Sequence, residues 1–143
     1  MITIKNVSKK YDKINVLDNL SCNIKDGSIY GLVGANGSGK STLLRLINGI
    51  FIPDSGEILI NDEKVFDNEK IKQDLVFVPD DLFFYPGYTL LDTAKYYEAM
   101  YKKFDIDYLK RLANIFKLDL NRKISTFSKG MKRQCALICA IAT

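Results

Sequence analysis

Residues 31–42 read Gly-Leu-Val-Gly-Ala-Asn-Gly-Ser-Gly-Lys-Ser-Thr, residue types and spacing that can hold a chain of phosphates. Gly34, Gly39, Lys40 and Ser41 fill the pattern G-x-x-x-x-G-K-[ST]. In such a loop, successive backbone N–H groups and a helix N-terminus converge on one anion. Gly34, Gly37 and Gly39 permit a tight backbone course that side chains would block. Lys40 then reaches the outer phosphates, and the Ser41 hydroxyl is a ligand for Mg²⁺. The alternative is a Gly-rich turn with a chance lysine, and four fixed positions between a strand and a helix argue against it. A nucleoside triphosphate is the expected ligand.

The flanking segments must position that loop. Residues 28–33 read as a short buried strand and residues 41–47 as the helix that follows. Upstream, residues 2–7 alternate as a strand does, and residues 16–24 form a second strand ended by Asp26-Gly27. Tyr11 lies between them among Lys9, Lys10, Asp12 and Lys13. It is either an exposed turn residue or a flat face on which a base stacks, a contact worth roughly 1–3 kcal/mol. Downstream, Asn48-Gly49 stops the helix, and a hairpin over residues 57–65 turns at Asn61-Asp62. Residues 75–78 read as another buried strand, halted by Pro79-Asp80-Asp81. Two helices follow, over 90–101 and over 106–118, the second with Tyr108, Leu109, Leu112, Ile115 and Phe116 on its apolar side.

A length of 143 residues with 47% hydrophobic composition predicts about one domain with a real core. No apolar run approaches the roughly 18 residues of a membrane span. The start Met1-Ile2-Thr3-Ile4-Lys5 is no signal peptide, so a soluble, cytosolic chain is expected. The net charge of +4 is unevenly spread, with nine acids against three lysines over 54–81 and five basic residues without an acid over 120–143. Such a basic run is a nucleic-acid contact or, more commonly, a solvated face. With a triphosphate as the closer candidate, no nucleic-acid partner is expected. Cys22, Cys135 and Cys139 make no disulfide framework, and without any histidine a zinc site is improbable. They read as small buried apolar residues.

A second segment carries chemistry. Ser125-Thr126-Phe127-Ser128-Lys129-Gly130-Met131-Lys132-Arg133-Gln134 leads into a helix with Met131, Cys135, Ile138, Cys139 and Ala142 at helical spacing. Ser128 is placed as its N-cap. An ordinary capped helix would explain this much. Lys129, Lys132 and Arg133, however, sit at the positive end of the helix dipole, which costs stability unless an anion docks there.

A phosphate loop preceded by an aromatic turn and followed by Phe-Ser-Lys-Gly-Met-Lys before an Ala-rich helix resembles an ABC transporter ATP-binding protein, over the whole chain. The resemblance implies an α/β P-loop NTPase fold. An antiparallel β portion would occupy residues 1–30 and 50–66, the phosphate loop and its helix 31–49, and a helical subdomain 90–143. It implies that Tyr11 stacks on adenine, and that Gly34, Ala35, Asn36, Gly37, Ser38, Gly39, Lys40, Ser41 and Thr42 hold ATP and Mg²⁺. Ser128, Lys129, Gly130 and Met131 match the family's Leu-Ser-Gly-Gly-Gln signature in register, with Phe127 for the Leu. In the family this signature caps the γ-phosphate bound to a second nucleotide-binding subunit.

Three departures from the family pattern stand out. Lys129 and Met131 replace the first signature Gly and the Gln, a variant resembling bacterial export ATPases. Asp80 stands where a Gln usually contacts Mg²⁺ and the membrane partner, and is the second expected metal-site residue beside Ser41. The family continues into an apolar strand ending in Asp-Glu, so the chain reads as an N-terminal part, truncated before Walker B. The implied function is the ATP-binding subunit of an exporter, hydrolysing ATP as a full-length dimer beside a membrane-spanning permease, at the inner face of the cell membrane. Residues 1–143 alone are expected to be inactive. A non-hydrolysing regulatory module, or an ABC ATPase acting on DNA or ribosomes, is the alternative.

Overall fold

The structure, a computed structural model, describes residues 1–143. The chain forms two units, Met1–Leu75 and Val76–Thr143.

In the first unit, β1 (Ile2–Tyr11), β2 (Ile14–Ile24), β3 (Ser55–Ile60) and β4 (Glu63–Lys64) make one antiparallel sheet in the order β2-β1-β3-β4. The β1–β2 ladder is bulged: its register passes from Ile4 opposite Cys22 to Val7 opposite Leu20. Asn6 and Asn19 absorb the irregularity with φ of 49° and 48°, a region asparagine tolerates. Polar side chains take up the backbone groups that the ladder drops. Asn6 N donates to Ser21 Oγ at 2.8 Å, and Asn19 N donates to Ser8 Oγ at 2.9 Å. On the other side of β1 the pairing with β3 shifts between Lys5 and Ser8, and Gly56, with φ of 79°, fits into that shift. A β-carbon there would stand 2.3 Å from the Lys5 carbonyl oxygen.

Helix α1 (Lys40–Ile47) packs Leu43, Leu46 and Ile47 into one core with Ile4, Val7, Ile58 and Ile60. A single turn, α2 (Glu69–Lys72), adds Ile71 to that core and is capped by Asn68, whose side chain accepts from Ile71 N at 3.2 Å. The sequence reading contained no helix there.

Two expected strands are absent. Residues 28–33 and 75–78 lie outside the sheet, and the expected burial of the first fails outright, with Ile29 103% and Val33 94% exposed. An apolar run becomes a strand only where a neighbour takes its N–H and C=O groups, and the four strands of this sheet pair only with one another.

The second unit is helical, with α3 (Leu90–Met100), α4 (Ile106–Ile115), a 3₁₀ turn (Ile124–Thr126) and α5 (Lys129–Ile141). Leu90, Ala94, Leu109, Leu112, Ala113, Ile138 and both Cys135 and Cys139 form its core. Burial pushes each of these two thiols up to about 12, as suits small apolar fillers. Tyr108 and Ile115, expected on the apolar side of α4, are exposed instead. At roughly 100° per residue they lie about a quarter turn or more from the line through Leu109, Leu112 and Ala113. Thr89 and Asp92 form a capping box at α3, with Asp92 N donating to Thr89 Oγ1 at 3.1 Å and Thr89 N to Asp92 Oδ2 at 3.0 Å. No helix is long and apolar enough to cross a membrane.

Two measurements test this account. Gly56→Ala forces both a left-handed backbone and a clash with the Lys5 carbonyl, and should lower unfolding free energy by at least about 2 kcal/mol in denaturant titration. A loss below about 0.5 kcal/mol would contradict the packing at that bulge. Asp92 is held below the usual carboxylate range, first by the Thr89 backbone N–H and then by its hydroxyl. Its stabilisation is therefore complete above the unfolded value near about 4 and is lost as pH falls through the lower folded value. Asp92→Asn should flatten the loss of helix signal on acidification below about pH 4. An unchanged acid limb would remove Asp92 from the cap.

Candidate functional site

The loop expected to hold phosphates leans on the sheet. Gly39 takes φ of 87°, and a β-carbon on it would stand 2.7 Å from the Val16 carbonyl oxygen and 3.0 Å from Leu17 Cδ2. Since Leu17 pairs with Lys9 across the β1–β2 ladder, the loop's end is fixed by the same hairpin that carries Tyr11. Gly37 also has positive φ, 82°, but opens onto free space. At Gly34 a β-carbon would meet Ser38 Oγ at 2.6 Å, so the loop is folded tightly on itself. Ser38 N closes it by donating to Ala35 O at 3.2 Å.

Lys40 bends back over this loop. Its Nζ donates to Gly34 O at 2.8 Å and to Ala35 O at 2.7 Å. Gly34, Ala35, Asn36, Gly37 and Ser38 are exposed, as is Ser41, whereas Thr42 is buried in the unit's core side of α1. The first turn of α1 has no side-chain cap and no acid. Its leading N–H groups thus remain available to an anion.

Tyr11 is the last residue of β1 rather than a turn residue; the turn is Asp12-Lys13. The ring is 41% exposed, meets Phe51 edge-on at 6.4 Å between centroids, and has Lys9 Nζ at 6.0 Å. Phe51 in turn lies under the Arg45 guanidinium of α1, at 5.8 Å. Phe51 and Arg45 did not emerge from the sequence as parts of the site, because neither falls in a motif.

In the second unit, Ser128 caps α5 by accepting from Met131 N at 3.2 Å. Lys129 and Gly130 are exposed, and Met131 is half-buried against the helical core. Phe127 is buried with Arg122 over its ring at 5.2 Å. Like α1, α5 has no acid in its first turn, whereas α2, α3 and α4 carry Glu69, Asp92 and Asp107 there. Of the five α-helices, the two that begin at the sequence motifs are thus the two without a first-turn carboxylate, and of these only α5 has a side-chain cap.

Asp80 is exposed and belongs to the second unit, whereas Ser41 belongs to the first. No group of three His, Cys, Asp or Glu side chains converges on a metal position. The structure therefore brings Tyr11 together with residues 34–42 in one unit and gathers Ser128, Lys129, Gly130 and Met131 in the other. The second unit also holds a cavity of about 140 Å³ walled by Phe83, Phe84, Tyr85, Tyr88, Tyr96 and Tyr97. The density of aromatics between residues 83 and 97 was the available signal for it.

Residues 17–143 match the family model described as ABC transporter. The chain belongs to the ABC transporter family. The ABC transporter ATP-binding protein YtrB of Bacillus subtilis (strain 168) is 37% identical over 142 residues, which cover 99% of this chain and 49% of YtrB. The linearmycin resistance ATP-binding protein LnrL of the same organism is 31% identical over 147 residues, covering 99% of this chain and 47% of LnrL. The chain thus spans about half the length of these curated relatives. A bacterial ABC transporter cassette solved as a dimer superposes with a TM-score of 0.84 at 28% identity, covering 99% of this chain and 69% of that one.

In this ABC transporter chain the loop glycines differ in what constrains them, and thermal unfolding should separate them. Gly37→Ala meets only backbone strain, of order 1 kcal/mol, whereas Gly39→Ala adds a clash with a backbone carbonyl and should cost roughly twice as much or more. Equal losses would mean that the loop does not rest on β2.

Proposed function

We propose that residues 1–143 form the nucleotide-binding part of an ABC transporter ATPase, with ATP as ligand. The observation that carries this reading is the phosphate loop: a glycine cradle, an uncapped helix start and a lysine ammonium aimed across the loop. β-Carbons at Gly34 and Gly39 would meet Ser38 Oγ at 2.6 Å and the Val16 carbonyl oxygen at 2.7 Å, so glycine at both positions keeps the loop's tight course. Residues 34–42 hold the triphosphate through backbone N–H groups. Lys40 exchanges the carbonyls of Gly34 and Ala35 for phosphate oxygens, which are stronger acceptors for a cation. Tyr11 offers its ring to adenine.

The Ser41 hydroxyl is exposed at the helix start and is the side chain that would hold Mg²⁺, a hard cation that prefers oxygen. When bound, the ion would supply charge neutralisation at the phosphates. Asp80 would accept from ion-bound water. Ser128, Lys129, Gly130 and Met131 would cover the γ-phosphate held by a second subunit, and the start of α5, without a first-turn acid and with Lys129 exposed, supports that role. Hydrolysis is assigned to the dimer of the whole protein, beside a membrane-spanning permease at the inner face of the cell membrane. Residues 1–143 alone would not turn ATP over. The direction is export, supported by the Lys129 and Met131 signature variant and by the likeness to a linearmycin resistance ATP-binding protein.

Lys40→Ala removes a charge-assisted bond worth roughly 1.5–3 kcal/mol, so ATP affinity should fall by about tenfold to a hundredfold in titration calorimetry. The same affinity in variant and parent would refute the site.

A further inference from the structure

Outside the residues assigned to nucleotide, one carboxylate has both oxygens committed to the end of β1. Asp54 Oδ1 accepts from Lys9 Nζ at 2.7 Å, and Oδ2 accepts from the Lys10 backbone N at 2.7 Å. The backbone N of Asp54 donates to Ser8 O at 2.9 Å. Pairing between β1 and β3 stops at Ser8 opposite Ser55, so the carboxylate supplies the acceptor that the ladder no longer offers to Lys10. Lys9, which ranks among long mobile side chains by nature, is only 17% exposed in this pair. The hydrogen bonds from Lys9 and then Lys10 hold the Asp54 carboxyl below the usual carboxylate range, so it is charged at neutral pH.

The strand end that Asp54 holds is the one bearing Tyr11. Lys9 Nζ lies 6.0 Å from the Tyr11 ring centroid, on a stem fixed by Asp54. The opposite support is Phe51, edge-on to Tyr11 and itself under Arg45 of α1. Ile50 N and Phe51 N both donate to Arg45 O, at 2.9 and 3.3 Å. The ring is thus tied on one side to a carboxylate and on the other to the helix that begins at the phosphate loop.

We propose that Asp54 is a positioning residue for the nucleobase platform, holding the Tyr11 ring at a fixed height relative to the phosphate loop through Lys9 and the Lys10 backbone. The inference rests on the reading of Tyr11 given above. It makes Asp54 a determinant of base-dependent affinity and leaves phosphate affinity to the loop. A carboxylate that merely stabilised the sheet would affect both alike.

The test is calorimetric titration of the full chain with Mg²⁺ and either ATP or inorganic tripolyphosphate. Asp54→Ala should weaken ATP by about threefold to tenfold, a fraction of what base stacking supplies, and leave tripolyphosphate unchanged. Lys9→Met, which keeps the Lys10 contact, should show the same split in smaller degree and serves if Asp54→Ala does not fold. In a Tyr11→Ala background, which itself weakens ATP, Asp54→Ala should add no further loss. Should Tyr11→Ala bind ATP like the parent, the platform reading fails and the inference with it. Should Tyr11→Ala weaken ATP while Asp54→Ala and Lys9→Met do not, or weaken both ligands equally, the inference on Asp54 alone is overturned.

Discussion

Gly39 rests against the carbonyl of Val16 with no room for a β-carbon, and this contact decides where the phosphate loop ends and α1 begins. A left-handed residue backed by a strand cannot drift, so the next residue, Lys40, enters the helix at a set position and angle. Ser41 then faces outward while Thr42 is buried and Leu43, Leu46 and Ile47 are drawn onto Ile4, Val7 and Ile58. Burial of such side chains contributes roughly 1.5–3 kcal/mol each, enough to hold an eight-residue helix that would not persist alone. The sheet, with its asparagine bulges and the Gly56 crossing, acts as the template on which an intrinsically strained loop is cast.

The electrostatics follow from that template. Lys40 has no carboxylate partner, and its ammonium is satisfied by the Gly34 and Ala35 carbonyls of the loop it spans. Neutral acceptors hold a cation less firmly than charged ones do, so these two bonds tie the lysine to the loop only lightly. Lys9 is the contrast. It is bound to Asp54, a fixed charge, and its geometry is therefore set by the protein itself. Lys40 is held by neutral carbonyls and Lys9 by a carboxylate, and the difference lies in which acceptor the fold supplies.

Local patterns were legible in the sequence, and long-range partners were not. The cap at Ser128 and the stop at Asn48-Gly49 depend on neighbours within a few residues, and the structure has them as read. Residues 28–33 failed as a strand because apolar composition says nothing about whether a ladder partner stands alongside. Ile115 failed as a core residue because its angular position on α4, not its hydrophobicity, decides burial. Asp54 left no trace in the sequence, since its two acceptor bonds reach across 45 and 44 residues to Lys9 and Lys10. The turn α2 was hidden by its length: four residues are too few for a period to show.

The signature segment poses a different question, because Gly130 has no reason for being glycine within its own chain. Gly39 and Gly56 are required by positive φ and by backbone atoms under 3.0 Å from a β-carbon. Gly130 has ordinary helical backbone, and the nearest atom to a β-carbon there is Ser128 Oγ at 3.9 Å. A glycine inside a helix gives up as much as about 1 kcal/mol relative to alanine, and Gly130 lies in the first turn of α5 beside an exposed lysine. The chain accepts that loss without an internal return. A glycine there leaves the helix start open beside Lys129, while Ser128 takes the Met131 N–H, and this opening is the one that the proposed γ-phosphate contact would use. Gly39 of the first motif is thus fixed by its own sheet, whereas Gly130 of the second is not constrained by any neighbour in its own unit.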